Sequence, residues 1–409
     1  MESHLNLSTL TGGLVAVLVA VSAYGAPAYI ATPLVTLSGV QLYVQGMNAK
    51  GDVTGFATGY AGTFGRAFIY SQGTLGDLGT LGGVDSSGQG INQSGQVTGF
   101  STLVPSSIEA HAFIYAGGTM RDLGTLVSGG RAVGSAINAS GQVTGWASTA
   151  TGSAHAFLYS EGTMVDLTPD SQGAEGRGIN DKGEVVGGFY QPSGLLPQHA
   201  FLYSNGVVTD LGTLGGLSSR ANAINASGQV TGFASIGENL APGNDASHAY
   251  IYSNGAMVDL DTLGGRDSGG ASINSQGQVV GASAVVGSKI WRAFLYAGGT
   301  MYDLNTLVVS GLGGGTLTGT VAINDAGRIL AVGCNITADS CTSAQRAYVL
   351  DPAPDQPGGG GGCASTGGVQ PGPIDPTLPL LLMLALIGIS LPERSWRRRC
   401  HSHCGATDH

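Results

Sequence analysis

One residue pattern returns seven times between Tyr29 and Leu350, and few folds can accommodate it. Its clearest copy runs His199-Ala200-Phe201-Leu202-Tyr203-Ser204-Asn205-Gly206, then Asp210-Leu211-Gly212-Thr213-Leu214-Gly215-Gly216, then Ile224-Asn225-Ala226-Ser227-Gly228-Gln229-Val230-Thr231-Gly232. The Asn recurs at Asn48, Asn92, Asn138, Asn180, Asn225, Asn274 and Asn324, so successive copies lie 44, 46, 42, 45, 49 and 50 residues apart. A period of that length is the mark of a propeller or solenoid, whose units bury their apolar faces only by stacking on one another.

Each copy holds four short apolar runs bounded by Gly, Asn and Ser, which reads as strands rather than helices. They are labelled a (as in Met164-Val165-Asp166-Leu167), b (ending in Ala136-Ile137-Asn138), c (Gln142-Val143-Thr144-Gly145) and d (His155-Ala156-Phe157-Leu158-Tyr159). Segment d alternates His155, Phe157 and Tyr159 with Ala156 and Leu158, apolar on both sides, so it must be covered on both faces.

The spacings carry the topology. From the d Tyr to the a Asp the distance is seven residues, as in Tyr70 to Asp77, and from the b Asn to the c Gly it is also seven, as in Asn48 to Gly55. Such rigid spacing with Gly near the end describes tight hairpins. The other connections vary: the c Gly to the d Ala spans 11 residues at Gly145 to Ala156 but 17 at Gly232 to Ala249. In an up-and-down meander alternate connections share an edge, so the fixed turns occupy one rim and the variable loops the other, where binding usually resides. The seventh copy ends at segment d, Ala347 to Leu350, while Tyr29 to Leu37 reads as an orphan segment a, with Thr36-Leu37-Ser38-Gly39 echoing Thr213-Leu214-Gly215-Gly216. Pairing the two would close a circle and leave no open ends. The expected fold is all-β, a seven-bladed β-propeller of four-stranded blades closed by the N-terminal strand, with a β-solenoid as the alternative.

His-Ala-Phe-Leu-Tyr, Asp-Leu-Gly-Thr-Leu-Gly-Gly and Ile-Asn-x-x-Gly-Gln-Val-Thr-Gly together resemble the HAF repeat family, whose members are regarded as extracellular. The resemblance covers Tyr29 to Leu350, with Arg in place of the first His at Arg66, Arg292 and Arg346. It implies secretion and a β-repeat fold, and no particular reaction.

Only 10% of residues are charged, the formal net charge is −10 and most of the Arg are spread singly, which argues against a nucleic-acid partner needing a dense basic face. Among the five Cys, Cys334 and Cys341 lie seven apart in a polar loop and are expected to pair in an oxidising compartment.

Both ends read as addresses. Residues 1–28 read as a signal peptide: Leu14 to Ala23 is apolar and small residues follow at Ala23-Tyr24-Gly25-Ala26, although no Lys or Arg precedes the run. Residues 351–377 form a Pro/Gly-rich linker containing Cys363, residues 378–399 a short hydrophobic helix with an Arg cluster, and 400–409 a polar tail. Leu378 to Leu391 would span only ~21 Å as a helix, short of the ~30 Å of a bilayer core. Cys363, Asp375, Pro376 and the cluster Arg397, Arg398 and Arg399 resemble a tripartite C-terminal sorting signal of Gram-negative bacteria, of the JDVT-CTERM type, with GlyGly-CTERM as nearest relative. That resemblance implies export machinery, an intramembrane sorting protease and transient membrane association as partners, and display at or release from the cell surface. The Cys400-His401-Ser402-His403-Cys404 cluster reads as overrun of that tail rather than as a metal site.

Within the domain His111, His155, His199 and His248 are repeat positions, and so are Asn92, Asn138, Asn180, Asn225 and Asn274. A catalytic base is singular, so these are read as structural, with His or Arg in segment d donating to a recurring Asp. The acidic candidates Glu109, Glu238, Asp245 and Asp267 form no evident pair. No cofactor, metal or catalytic residue is expected. Phe56, Phe100, Trp146 and Phe233, each after the c Gly, are read as packing residues more than as a sugar-stacking surface. The expectation is an exported non-enzymatic protein that binds a glycan, peptide or protein through its variable-loop rim. The longest c–d loop supplies the contact candidates Ile236, Glu238, Asn239, Asn244 and Asp245. A glycan lyase or hydrolase, or a surface-layer component, is the alternative.

Overall fold

The computed structural model describes residues 27–34, 40–59, 65–105, 109–190, 198–237, 246–337, 340–341 and 345–354. The leader, Thr36 to Gly39 and everything from residue 355 onward, the sorting-signal residues included, lie outside these. So do Glu238, Asn239, Asn244 and Asp245.

Each repeat folds into one antiparallel sheet in the order b-c-d-a. In the third blade these strands are Ala132–Ile137, Val143–Ser148, Ala154–Ser160 and Thr163–Asp166. Six sheets have four strands, and the seventh has five. Strand b of each blade touches strand b of both neighbours, the first against the seventh included, so the seven sheets form a ring with strand b innermost. The fold is a seven-bladed β-propeller.

The d–a hairpins turn through two residues of positive φ, such as Asn205 (51°) and Gly206 (85°), which matches the turn to the right-handed twist of the strands. Strand b carries a one-residue bulge in every blade, as between Gly134 and Ala136. The bulge explains the Gly that closes the c motif. A Cβ on Gly145 would overlap the carbonyl oxygen of Val133, and the same collision recurs at Gly55, Gly99, Gly187, Gly232 and Gly281 with the facing strand b.

The ring closes as the orphan segment required. Strand Tyr29–Pro33 pairs antiparallel with Arg346–Pro352, from Tyr29 opposite Pro352 to Pro33 opposite Tyr348. One strand was not legible in the repeat: Val308–Ser310 pairs in parallel with the outer side of that closing strand and makes it an interior one. A four-residue helix, Leu304–Leu307, stands where the first, second and fourth copies have Leu-Gly-Thr-Leu, and Asn305 fastens it to both the N–H and the carbonyl of Leu317.

The core is not one mass but a series of seams between neighbouring sheets. The seam between the second and third blades holds Ala112, Ile114 and Leu123 against Val143 and Phe157. Segment d is buried on both faces, with Ala156 and Phe157 fully so and Tyr159 at 6%. The seams are also matched in size. Thr54, Thr98, Thr144 and Thr231 of strand c, all fully buried, each donate to a carbonyl of their own strand d. Facing each across the seam is a Gly of the next blade, Gly88, Gly134, Gly176 and Gly270, where a Cβ would strike the Thr hydroxyl. Where strand c carries Val186, Val280 or Leu330 instead, the corresponding residue of the next blade is Ala221, Thr320 or Val44. Hydroxyl meets glycine and aliphatic meets a larger side chain, so the order of the blades is written into side-chain size.

Candidate functional site

On the fixed-turn rim the b–c turns are bonded to one another. In each b–c turn the Asn side chain accepts backbone N–H groups through Oδ1, as Asn138 does from Gln142 at 2.9 Å. Its Nδ2 then reaches the backbone carbonyl of the same Asn in the following blade. Asn48 donates to Asn92 (3.1 Å), Asn92 to Asn138 (2.9 Å) and Asn138 to Asn180 (3.0 Å). Asn180 donates to Asn225 (3.2 Å), Asn225 to Asn274 (2.9 Å) and Asn274 to Asn324 (3.3 Å). Asn324 completes the circle, sharing its donor between Asn48 (3.5 Å) and Ala49 (3.2 Å). The ring surrounds a mouth of about 280 Å³ whose lining includes Met47, Ile91, Ile137, Ile179, Ile224 and Ile323. This amide belt, one bond per repeat, is a device for holding blades together.

The recurring His and Asp are likewise consumed. His155 Nδ1 lies 2.7 Å from Asp166, and His111, His199 and His248 each lie 2.9 Å from Asp122, Asp210 and Asp259. Arg66 takes the same place opposite Asp77 at 3.2 Å. Every pair joins strand d to strand a within one blade. The Asp also caps the turn that follows, as Asp166 does with the N–H of Thr168 at 2.9 Å. Cys334 and Cys341 are joined by a disulfide across a short hairpin. Among the described residues no three His, Cys, Asp or Glu side chains gather into a metal-binding cluster.

The variable-loop rim differs. Between the third, fourth and fifth blades it opens into a cleft of about 430 Å³ lined by Trp146, Gln172, Glu175, Tyr190, Gln198 and Arg220, with Ala154, Gly173 and Ala174 behind them. The repeat explains the opening. The residue after the c Gly is aromatic at Phe56, Phe100, Trp146 and Phe233, but in the fourth blade it is Gly188. A Cβ there would meet the Gln198 side chain at 2.5 Å, so the missing aromatic makes room for that amide. Two of the other aromatics are covered: Tyr43 stacks on Phe56 at 4.5 Å, and the Arg220 guanidinium lies 4.8 Å above Phe233. Trp146 and the half-exposed Tyr190 keep ring surface in the cleft.

Charge in the cleft is concentrated on strand b. Glu175 is 2.7 Å from Arg177 Nε and 3.6 Å from Arg220 on the neighbouring blade. Arg220 Nε is buried with no hydrogen-bond partner. Burial lowers the Arg220 pKa, the Arg177 charge adds to that push, and Glu175 and Tyr190 oppose it.

The contact candidates drawn from the longest loop are not brought to this cleft in the described residues. Ile236, the one of the five that is described, bonds through its N–H to the carbonyl of Ala246 at the base of that loop. Asp267 accepts the N–H of Ser247 at 3.0 Å and so ties that loop to the next blade. Sequence reasoning missed Arg220, Glu175, Tyr190 and Gln198. The single signal for them was the one Gly, Gly188, in the third to fifth blades at the position after the c Gly.

No family model and no curated protein matches the chain. Solved structures do. The β-propeller domain of the Trilobed protease from Pyrococcus furiosus is 10% identical, with 76% of this chain and 96% of that one covered and a TM-score of 0.49. TolB from Acinetobacter baumannii is 14% identical, with 77% and 64% covered and a TM-score of 0.38. The gluconolactonase XC5397 from Xanthomonas campestris is 10% identical, with 80% and 99% covered and a TM-score of 0.36. These are distant likenesses of fold.

Proposed function

We propose that this protein is an exported, non-enzymatic binding propeller that takes a polyhydroxylated ligand, a glycan in the first instance, in the cleft between its third and fifth blades. The observation that carries this reading is a division of labour. The repeated His, Asp and Asn are bonded to one another or to backbone, whereas Trp146, Tyr190, Gln172 and Gln198 converge once, on the rim of variable loops. Aromatic faces flanked by amides suit sugar rings, because a pyranose presents C–H groups on its faces and hydroxyls at its edge. The leader and the tail supply the address, with the export machinery and an intramembrane protease as processing partners and the cell surface of a Gram-negative bacterium as destination.

A glycan array probed with residues 27–354 tests the reading. Binding that disappears in Trp146→Ala while the thermal transition is kept is the expected result. Binding indifferent to Trp146 and to exchange of every loop on that rim would end it. Export is tested separately, by whether the full chain accumulates outside the cytoplasm and sheds its tail.

A further inference from the structure

At the cleft and just beside it, two guanidinium groups face one carboxylate. Two guanidinium groups, Arg177 and Arg220, share Glu175, at 2.7 and 3.6 Å. Arg177 is in close contact and lies on the same strand as Glu175, whereas Arg220 stands off and lies on the next blade. The sum of the three groups is one positive charge, and of the two arginines it is Arg220 that lines the cleft. Its planar face is fixed on Phe233, so its rotation is restricted before any ligand arrives. Trp146 and Tyr190 lie in the same cleft, and Gln172 and Gln198 place amides there.

We propose that the ligand is an acidic saccharide, with a sugar carboxylate paired to Arg220 and a ring face lying on Trp146 or Tyr190. A guanidinium presents two parallel N–H donors that fit the two oxygens of a carboxylate, which a neutral hydroxyl cannot match. Glu175 is the built-in competitor: it occupies the guanidinium weakly, at 3.6 Å, and an incoming carboxylate takes its place while Arg177 retains Glu175. This inference rests on reading the cleft as a glycan site, and it names the class of glycan.

The test uses three probes on the folded domain: a galacturonate tetrasaccharide, the same tetrasaccharide with its carboxyls methyl-esterified, and a neutral glucose tetrasaccharide. The acidic probe should bind best and weaken as salt is raised. Arg220→Gln should weaken it by ~10- to 100-fold, the value of a charge-assisted pair, and weaken the neutral probes by far less. Glu175→Gln leaves Arg220 in place and removes its competitor, so it should tighten the acidic probe; this variant also serves if Arg220→Gln does not fold. Equal binding of acidic and neutral probes, or an acidic probe unaffected by Glu175→Gln, overturns the acidic assignment and leaves the glycan reading standing. Failure of all three probes, with the domain folded, overturns both.

Discussion

Replacing Asn138 with Ala cuts the amide belt at one seam, and the structure sets the size of the effect. Asn138 Oδ1 accepts the Gln142 N–H (2.9 Å) and the Ser140 hydroxyl (3.0 Å), while Nδ2 donates to Gln142 Oε1 (2.7 Å) and to the Asn180 carbonyl (3.0 Å). Loss of Oδ1 strands the Gln142 N–H, at ~1–3 kcal/mol, and loss of the cross-blade bond adds ~1 kcal/mol. The Asn180 carbonyl is not left bare, because the Gly183 N–H also reaches it at 3.0 Å. A total of about 3 kcal/mol results. Unfolding entropy of about 2.1 cal/mol/K per residue over roughly 330 residues converts this into a drop of about 4 °C. Asn324→Ala is the internal control. Its seam bond is shared at 3.2 and 3.5 Å, and Arg328 replaces the Gln that would accept from it. That variant should therefore cost about 1 kcal/mol less. Calorimetry and urea titration of the two variants and the parent measure both numbers. If the two cost the same, the shorter bonds of Asn138 add nothing over the shared bond of Asn324; if Asn138→Ala is neutral, the belt holds nothing together.

Three other outcomes follow from the same geometry. His155→Ala and Asp166→Ala should be non-additive in a double-mutant cycle by ~1–2 kcal/mol, since their contact is only 2.7 Å and half shielded; additive losses would reject the clip. Gly134→Ala should lower stability by ~1–3 kcal/mol through collision with the Thr98 hydroxyl, and by much less in a Thr98→Ala background, as thermal denaturation of the four proteins would show. Burial pushes the Tyr29 phenol up to about 12, above its unfolded value of 10.0, so the folded form keeps a proton that the unfolded chain releases. Stability from this group is complete below pH 10 and is lost between pH 10 and about 12, by ~2–3 kcal/mol, loosening the closing strand; Tyr29→Phe should flatten that alkaline limb of the urea midpoint, and an unchanged limb would refute the assignment.

The sequence alone determined the number of blades, the b-c-d-a order and the closure by Tyr29 and its neighbours. These follow from turn lengths and side-chain alternation, which are local and repeat seven times. The matching of Thr54, Thr98, Thr144 and Thr231 to a Gly of the next copy was not read from the sequence, because nothing local says that the two positions face each other. What only the tertiary structure decided is everything that depends on neighbours across seams. The Asn belt needs the first and seventh copies in contact, and the parallel strand Val308–Ser310 needs the closing strand in place before it has anything to pair with. The cleft is the sharpest case. Trp146, Tyr190 and Arg220 belong to three different copies and meet only because the ring curves and because Gly188 leaves a gap among aromatics. A repeat shows in sequence what its copies share; a binding site is made of the places where they differ, and only packing brings those together.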